Sequence, residues 1–225
     1  MPKNHLDNPK LIYDKLRNSA YLITKNPFKR VLDIILSLFV LIFILSWLFP
    51  IISILIKFNS KGPIFYLQQR VGLNSEVFKC YKFRTMYVSS PPKGFMPAST
   101  EDPRVTSVGK FLRKLNLDEF PQFLNVFMGE MSIVGPRPHA VKFQEEYAKF
   151  VPSIYKRQFV KPGITGLAQV NGYRGDHLDE AINRVRMKRR IANDIFYIKK
   201  WSILLDLKII IKTVLQMLTR NTNGY

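Results

Sequence analysis

The chain is short of cysteine, histidine and acid, and each shortage removes a class of function. One cysteine, Cys80, excludes an intrachain disulfide and any cysteine-rich metal site. The three histidines, His5, His139 and His177, lie far apart and offer no zinc spacing of the HExxH kind. Any metal expected here is therefore a hard cation held by oxygen, such as Mg2+. His139 follows a Gly-Pro-Arg-Pro run, which leaves it open between a substrate contact and a structural role. Only 16 Asp+Glu stand against 35 Lys+Arg, for a net charge of +19. So basic a chain requires an anionic partner: nucleic acid, anionic lipid or a phosphorylated substrate. No internal repeat or low-complexity tract is present, and 47% hydrophobic residues give material for a core.

The apolar residues are unevenly spread. Residues 1–30 are polar and basic, with a short surface helix expected, and they lack the pattern of a signal peptide. No charge occurs from Ile34 to Ile56. At about 1.5 Å per residue this stretch is roughly 35 Å long, enough to cross a bilayer core. A simple span is one reading. However, the flanks are basic on both sides (Lys29 and Arg30 before, Lys57, Lys61 and Arg70 after), and Pro50 lies deep in the segment. A helix that enters, bends and leaves on the same face satisfies both facts. Beyond it, 64–67 and 77–81 read as short strands, 89–103 as a turn-rich loop, and 108–116, 119–128 and 139–150 as helices. The last 45 or so residues carry a basic cluster (Arg184, Arg186, Lys188, Arg189, Arg190) and then an apolar stripe at helical spacing. That pattern fits either a core helix or attachment to an anionic membrane face.

Where acid does occur, its setting is informative. Asp118 and Glu119 are adjacent and lie between Arg113 and Gly135-Pro136-Arg137-Pro138. Carboxylates among cations suit chemistry on a phosphorylated substrate, the acids as nucleophile or metal ligand and the cations on the phosphates. The same residues also read as a helix start, with Asn116 as N-cap and the acids in the first turn. The residues alone leave the two readings open.

An ordered motif series adds to this. It runs Lys29-Arg30-x-x-Asp33, Gly62-Pro63, Gln69-Arg70-x-Gly72, Tyr81-Lys82-Phe83-Arg84-Thr85-Met86 and Asp102-Pro103-Arg104-x-Thr106. It continues through Leu117-Asp118-Glu119-x-Pro121-Gln122, Met131 to Pro138, Lys161-Pro162-Gly163-Ile164-Thr165-Gly166, Gln169 to Gly175, and Trp201-Ser202-x-x-x-Asp206. With these motifs the chain resembles the bacterial sugar transferase family, the monotopic phosphoglycosyl transferases, and most closely the catalytic domain of members that prime exopolysaccharide or capsule.

The resemblance implies an α/β mixed, mostly helical, membrane-embedded domain with a re-entrant helix, a small β element and amphipathic surface helices. Residues 1–28 would form a basic N-terminal segment, 29–58 the membrane helix and 59–225 a catalytic domain on the cytoplasmic face of the bacterial inner membrane. Larger members carry further transmembrane helices in front, so the chain is either a naturally short member or a catalytic portion. The implied reaction moves sugar-1-phosphate from a UDP-sugar to polyprenyl (undecaprenyl) phosphate and releases UMP, through a covalent phosphosugar on Asp118. Glu119, with Asp118, would serve Mg2+. Arg137, Arg113, Lys82 and Arg84 are the phosphate candidates, with Pro136 and Pro138 stiffening the Arg137 loop. The role of Asp206 is open between an ion-pair partner and the site. Anionic inner-membrane lipid and a second copy in a homodimer complete the expected partners; nucleic acid is not among them, because no basic-aromatic RNA-binding signature occurs. The rival class is a non-enzymatic, membrane-tethered basic binding module.

The chain departs from the family pattern at two places. The Ser-Pro pair that breaks the family's membrane helix is replaced by Ser46-Trp47 with a proline only at Pro50, and Asn116 and Phe120 replace the usual neighbours of the Leu-Asp-Glu core.

Overall fold

Helix starts follow local capping chemistry. Asn26 accepts the Lys29 backbone N–H at 3.1 Å and Pro27 takes the first helical position. Thr106, Asp179 and Ser202 accept from Gly109, Ile182 and Leu205 in the same way. A computed structural model describes residues 9–88, 102–177 and 179–219 of the chain. His5 and most of the expected 89–103 loop lie outside the described residues.

The elements, in order, are α1 (Pro9–Lys25), α2 (Pro27–Phe39), a π-helical segment (Val40–Leu45), α3 (Ser46–Asn59), β1 (Phe65–Val71) and β2 (Val77–Phe83). Then come α4 (Ser107–Lys114), a 3-10 turn (Leu117–Glu119), α5 (Gln122–Met128), β3 (Ser132–Val134), α6 (Val141–Ala148) and a 3-10 segment (Pro152–Phe159). β4 (Gly163–Thr165), α7 (Leu167–Val170), α8 (Glu180–Lys200) and α9 (Ile203–Leu218) close the chain. β1 and β2 form an antiparallel hairpin that pairs Tyr66 with Lys82, and β3 and β4 a short parallel pair. The molecule is thus mostly helical with small sheets, as the sequence implied.

α1 is more than a surface segment. Its Leu16, Ala20 and Ile23 are buried in the main core with Val134, Val160, Tyr197 and Ile198. A spacing of three to four residues puts all three on one face, so α1 is part of the globular body.

Residues Pro27–Asn59 form one helical run, long and apolar enough to cross a membrane, and only 17% of its most apolar stretch is buried. A core helix would be mostly covered; here Val31, Ile35, Phe39, Phe43, Trp47 and Ile51 line an exposed stripe. The opposite face packs along the protein: Leu36 on the main core, then Leu45, Ile52 and Ile56 against Phe83 and Leu112. Both ends are fastened to the same body. Lys29 Nζ donates to the Val134 carbonyl at 3.0 Å, and Asn59 donates to Ser107 Oγ at 2.9 Å. The irregularity expected around Ser46-Trp47 and Pro50 sits just upstream, as the π turn of Val40–Leu45. There Ser46 Oγ and Trp47 Nε1 donate back to the Ile42 and Phe43 carbonyls, and Pro50 remains inside α3 with no N–H to give.

The Lys29-Arg30-x-x-Asp33 motif in the first turns of this helix proves to be its clamp. Lys29 pairs with Asp206 at 2.7 Å, Arg30 donates to the Val126 and Phe127 carbonyls at the end of α5, and Asp33 accepts from Ser132 Oγ and the Ile133 N–H. Asp206 also accepts from Tyr197 and Trp201, so its position is structural. α9 exposes Leu204, Leu207, Ile211, Val214 and Leu218 along one side while burying Asp206 and Ile209.

Candidate active site

The acidic pair stands on the 3-10 turn between α4 and α5. Asn116 turns the chain there with φ 56, a left-handed conformation that Asn tolerates, and its side chain caps nothing. The helix-start reading therefore holds in position, with Asn116 at the N-cap and both acids in the first turn, but the helix is a 3-10 turn without a side-chain cap, and both acids are buried ahead of α5. Leu117 and Phe120 on either side pack into the cluster formed with Leu45, Ile52 and Ile56 of the long apolar helix. The acids are thus seated at the flank of that helix.

β2 supplies the first cation. Fully buried Asn125 of α5 accepts the Tyr81 N–H at 3.0 Å and donates to the Lys79 carbonyl at 2.8 Å, so its amide pairs with β2 as a neighbouring strand would. That fixes α5 on the strand and brings Lys82 Nζ within 2.7 Å of Glu119 Oε1. Arg137 closes on the same carboxylate through both Nη atoms, at 3.0 Å to Oε2 and shorter to Oε1. Arg174 Nη2 reaches Oε2 at 3.1 Å. Arg174 was not among the expected site residues: its motif from Gln169 to Gly175 was legible, but nothing local distinguished its guanidinium from a solvated one.

The loops bearing Arg137 and Arg174 are held from behind by arginines. Arg70 donates to the Pro138 carbonyl at 2.7 Å and Arg157 to the Arg137 carbonyl. Arg190 donates to the Tyr173 and Gly175 carbonyls, and Arg186 to those of Gly172 and Arg174. Arg157 is itself paired with Asp194 at 3.0 Å. Of the basic cluster that the sequence left open between the protein body and a membrane face, Arg186 and Arg190 therefore turn inward, while Arg184, Lys188 and Arg189 stay exposed. Pro136 contributes its carbonyl, which accepts the Gly163 N–H at 2.9 Å. A Cβ on Gly163 would come within 2.1 Å of the Gly135 nitrogen, so only glycine allows β4 to pack this closely on the loop.

Arg113 donates to Thr85 Oγ1 at 3.0 Å and acts on Asp118 through space. Arg84 is placed apart from the acids: it donates to the carbonyls of Ser60 at 2.7 Å and Lys61 at 2.8 Å. It caps the end of the apolar helix, where a cation complements the dipole.

Burial pushes the Asp118 carboxyl above its ordinary range, offset by Lys82, reinforced by Glu119, and offset again by Arg113 and Arg174. Burial acts on Glu119 in the same sense, yet Arg137, Lys82 and Arg174 together hold it well below its ordinary value. His139, buried and facing Arg157, is held well below the usual imidazole value by burial and then by Arg157, Arg190, Arg70 and Arg137. It is a neutral, structural histidine.

Residues 24–220 match the family model for the bacterial sugar transferase. The chain belongs to that family. Over 187 residues it is 49% identical to the UDP-glucose:undecaprenyl-phosphate glucose-1-phosphate transferase of Klebsiella pneumoniae, covering 83% of this chain and 39% of that protein. It is 42% identical over 192 residues to the UDP-N-acetylgalactosamine-undecaprenyl-phosphate N-acetylgalactosaminephosphotransferase of Aeromonas hydrophila, covering 85% and 44%. With the exopolysaccharide production protein PSS of Rhizobium leguminosarum bv. phaseoli it shares 40% identity over 196 residues, covering 85% and 96%. The chain therefore spans less than half the length of the first two relatives and nearly all of the third.

In this member of the sugar transferase family, the donor set as arranged does not fit a resident Mg2+. Both Glu119 oxygens are taken by cations, and among the described residues no group of three or more His, Cys, Asp or Glu forms a metal cluster. An octahedral ion at about 2.0–2.1 Å would have to displace those cations first.

Proposed function

We propose that this chain transfers a sugar 1-phosphate from a UDP-sugar to undecaprenyl phosphate and releases UMP. The carrying observation is the buried Asp118 beside a Glu119 enclosed by Lys82, Arg137 and Arg174, set against the apolar helix. The named activities of the related transferases support the same reading over a non-enzymatic binding module.

On this reading an Asp118 oxygen attacks the phosphorus next to the sugar, the bond to the bridging oxygen breaks, and UMP leaves with that electron pair. The resulting acyl phosphosugar is then attacked at the same phosphorus by the lipid phosphate, which restores the Asp118 carboxylate. Covalent catalysis of this kind divides one hard displacement into two. Lys82, Arg137 and Arg174 are fixed donors for the charge on the transferring phosphoryl group, and they need little reorganisation because the loops behind them are already held. Glu119 orients those donors. Asp118 must be ionised to attack, and burial raises its pKa, so the rate rises with pH through a point above the ordinary carboxylate range.

The exposed face of the apolar helix lies in the membrane, and fastening both ends to one body favours entry and exit on the same, cytoplasmic face. The stripe on α9 would rest at the interface, keeping the acids near the headgroup depth at which the lipid phosphate is found. UMP release measured across UDP-sugars, with undecaprenyl phosphate present, tests the proposal and identifies the sugar. At least one UDP-sugar should give acceptor-dependent UMP release, and silence across glucose, galactose and their N-acetyl forms would overturn it.

A further inference from the structure

Lys161 opens a motif that the acidic site does not use, and it lies at the foot of the apolar helix. It lines an open recess of about 350 Å3 together with Asn26, Lys29, Arg30, Asp33 and Ser132. Its half-buried ammonium makes no hydrogen bond or ion pair among the described residues. Arg30 stands beside it: Arg30 Nη2 and Lys161 Nζ come within 3.5 and 3.6 Å of the point where a Cβ would sit on Gly129. Burial and then Arg30 push the Lys161 ammonium below its ordinary pKa, with Asp33 opposing. Arg30 gives one N–H from each Nη to the Val126 and Phe127 carbonyls, which leaves three of its five N–H groups.

The charges around this recess do not cancel. Lys29 is matched by Asp206 at 2.7 Å, which leaves Arg30 and Lys161 against Asp33. Asp33 Oδ1 is turned to Ser132 Oγ and the Ile133 N–H. One positive charge therefore remains, and a singly charged phosphodiester complements it. Apolar surface adjoins the same cations: Phe28 and Val31 on α2, and Phe127 and Met128 at the end of α5, are all exposed. Cations beside exposed apolar side chains match a headgroup lying over acyl chains. The length of α5, about 10 Å of helix, separates this recess from the acidic pair.

We propose that the recess binds the phosphodiester of an anionic phospholipid, held by Lys161 and Arg30 with its acyl chains against Phe28, Val31, Phe127 and Met128. The membrane as the source of that phosphate rests on the seating of the apolar helix proposed above. The anion site itself rests on the charges around Gly129.

The test is native mass spectrometry of the detergent-solubilised full chain, equilibrated with equal amounts of phosphatidylglycerol and phosphatidylcholine. Wild type should retain one phosphatidylglycerol per chain, preferred at least about fivefold over phosphatidylcholine, the scale expected of one cation near a lipid surface. Lys161→Gln should bring the preference close to one, and Lys161→Arg should restore it. Lys149→Gln removes the same charge from an exposed position and should leave the preference intact. Excess inorganic phosphate should fail to displace the lipid; displacement would assign the recess to a free anion and overturn the lipid. No preference in wild type would also overturn the inference. So would a Lys161→Gln chain that keeps the preference, or one that loses it no more than Lys149→Gln does, each with an intact unfolding transition. If the membrane seating were wrong instead, wild type would retain neither lipid.

Discussion

Replacing Asp206 with Asn should loosen the apolar helix from the catalytic body at a cost of about 3–5 kcal/mol, the range for breaking one side of a buried ion pair. The magnitude follows from what Asp206 holds. Its side chain is 1% exposed and accepts from Lys29 Nζ at 2.7 Å, Tyr197 Oη at 2.8 Å and Trp201 Nε1 at 3.1 Å. Asparagine keeps the volume and one acceptor but removes the charge, which leaves the Lys29 ammonium buried opposite a neutral amide. Removing both charges should be milder, because no unpaired ion remains; Lys29→Met with Asp206→Leu should therefore cost clearly less than the two single changes summed. Lys149–Glu146 serves as a control: its side chains are 68% and 45% exposed, and Glu146→Gln should change stability by less than about 1 kcal/mol. Guanidinium unfolding in dodecyl maltoside micelles, followed by tryptophan fluorescence, reads all five variants: Asp206→Asn, the two single changes, their double and the control. A cost below about 1 kcal/mol for Asp206→Asn, or strict additivity in the double variant, would refute the clamp.

Two further outcomes are expected. His139 is neutral when folded, so below its ordinary pKa of about 6.5 the unfolded chain takes up a proton that the folded chain refuses, and stability falls as pH drops. The slope approaches about 1.4 kcal/mol per pH unit and should be missing from His139→Gln when urea midpoints are compared at pH 7.5, 6.5 and 5.5. Gly163→Ala places a methyl group 2.1 Å from the Gly135 nitrogen, where no side chain can move aside. It should cost about 3 kcal/mol in the same unfolding assay and reduce turnover by displacing the Arg137 loop.

Local signals in the sequence carried much of this, and long-range pairing the rest. The strands around Gly72, the helices near 108–116 and 139–150, and the acidic pair among cations were legible because each depends on neighbours a few residues away. β3 and β4 were not, since three-residue strands are too short for an alternating pattern to register. Arg84 was expected at the site and Arg174 was not considered for it: a guanidinium capping a helix and one reaching a carboxylate look alike in sequence, and only the fold separates Ser60 from Glu119 as their partners. Lys29 and Asp206 stood in recognised motifs at opposite ends of the chain, but their pairing required the packing of α2 on β3 and α9. Asn116 read as a cap because it precedes two acids, and it does stand at the N-cap; its positive φ and the short 3-10 turn it starts, ahead of α5, were not legible.

The central claim is that Asp118 takes the phosphosugar, and the most direct measurement is the mass of the protein after mixing with its UDP-sugar in the absence of lipid acceptor. Intact-protein mass spectrometry should find a sugar-phosphate adduct, located by fragmentation on the peptide carrying Asp118, discharged by undecaprenyl phosphate and absent from Asp118→Asn. An adduct on another residue, or acceptor-dependent UMP release by Asp118→Asn at the wild-type rate, would contradict it.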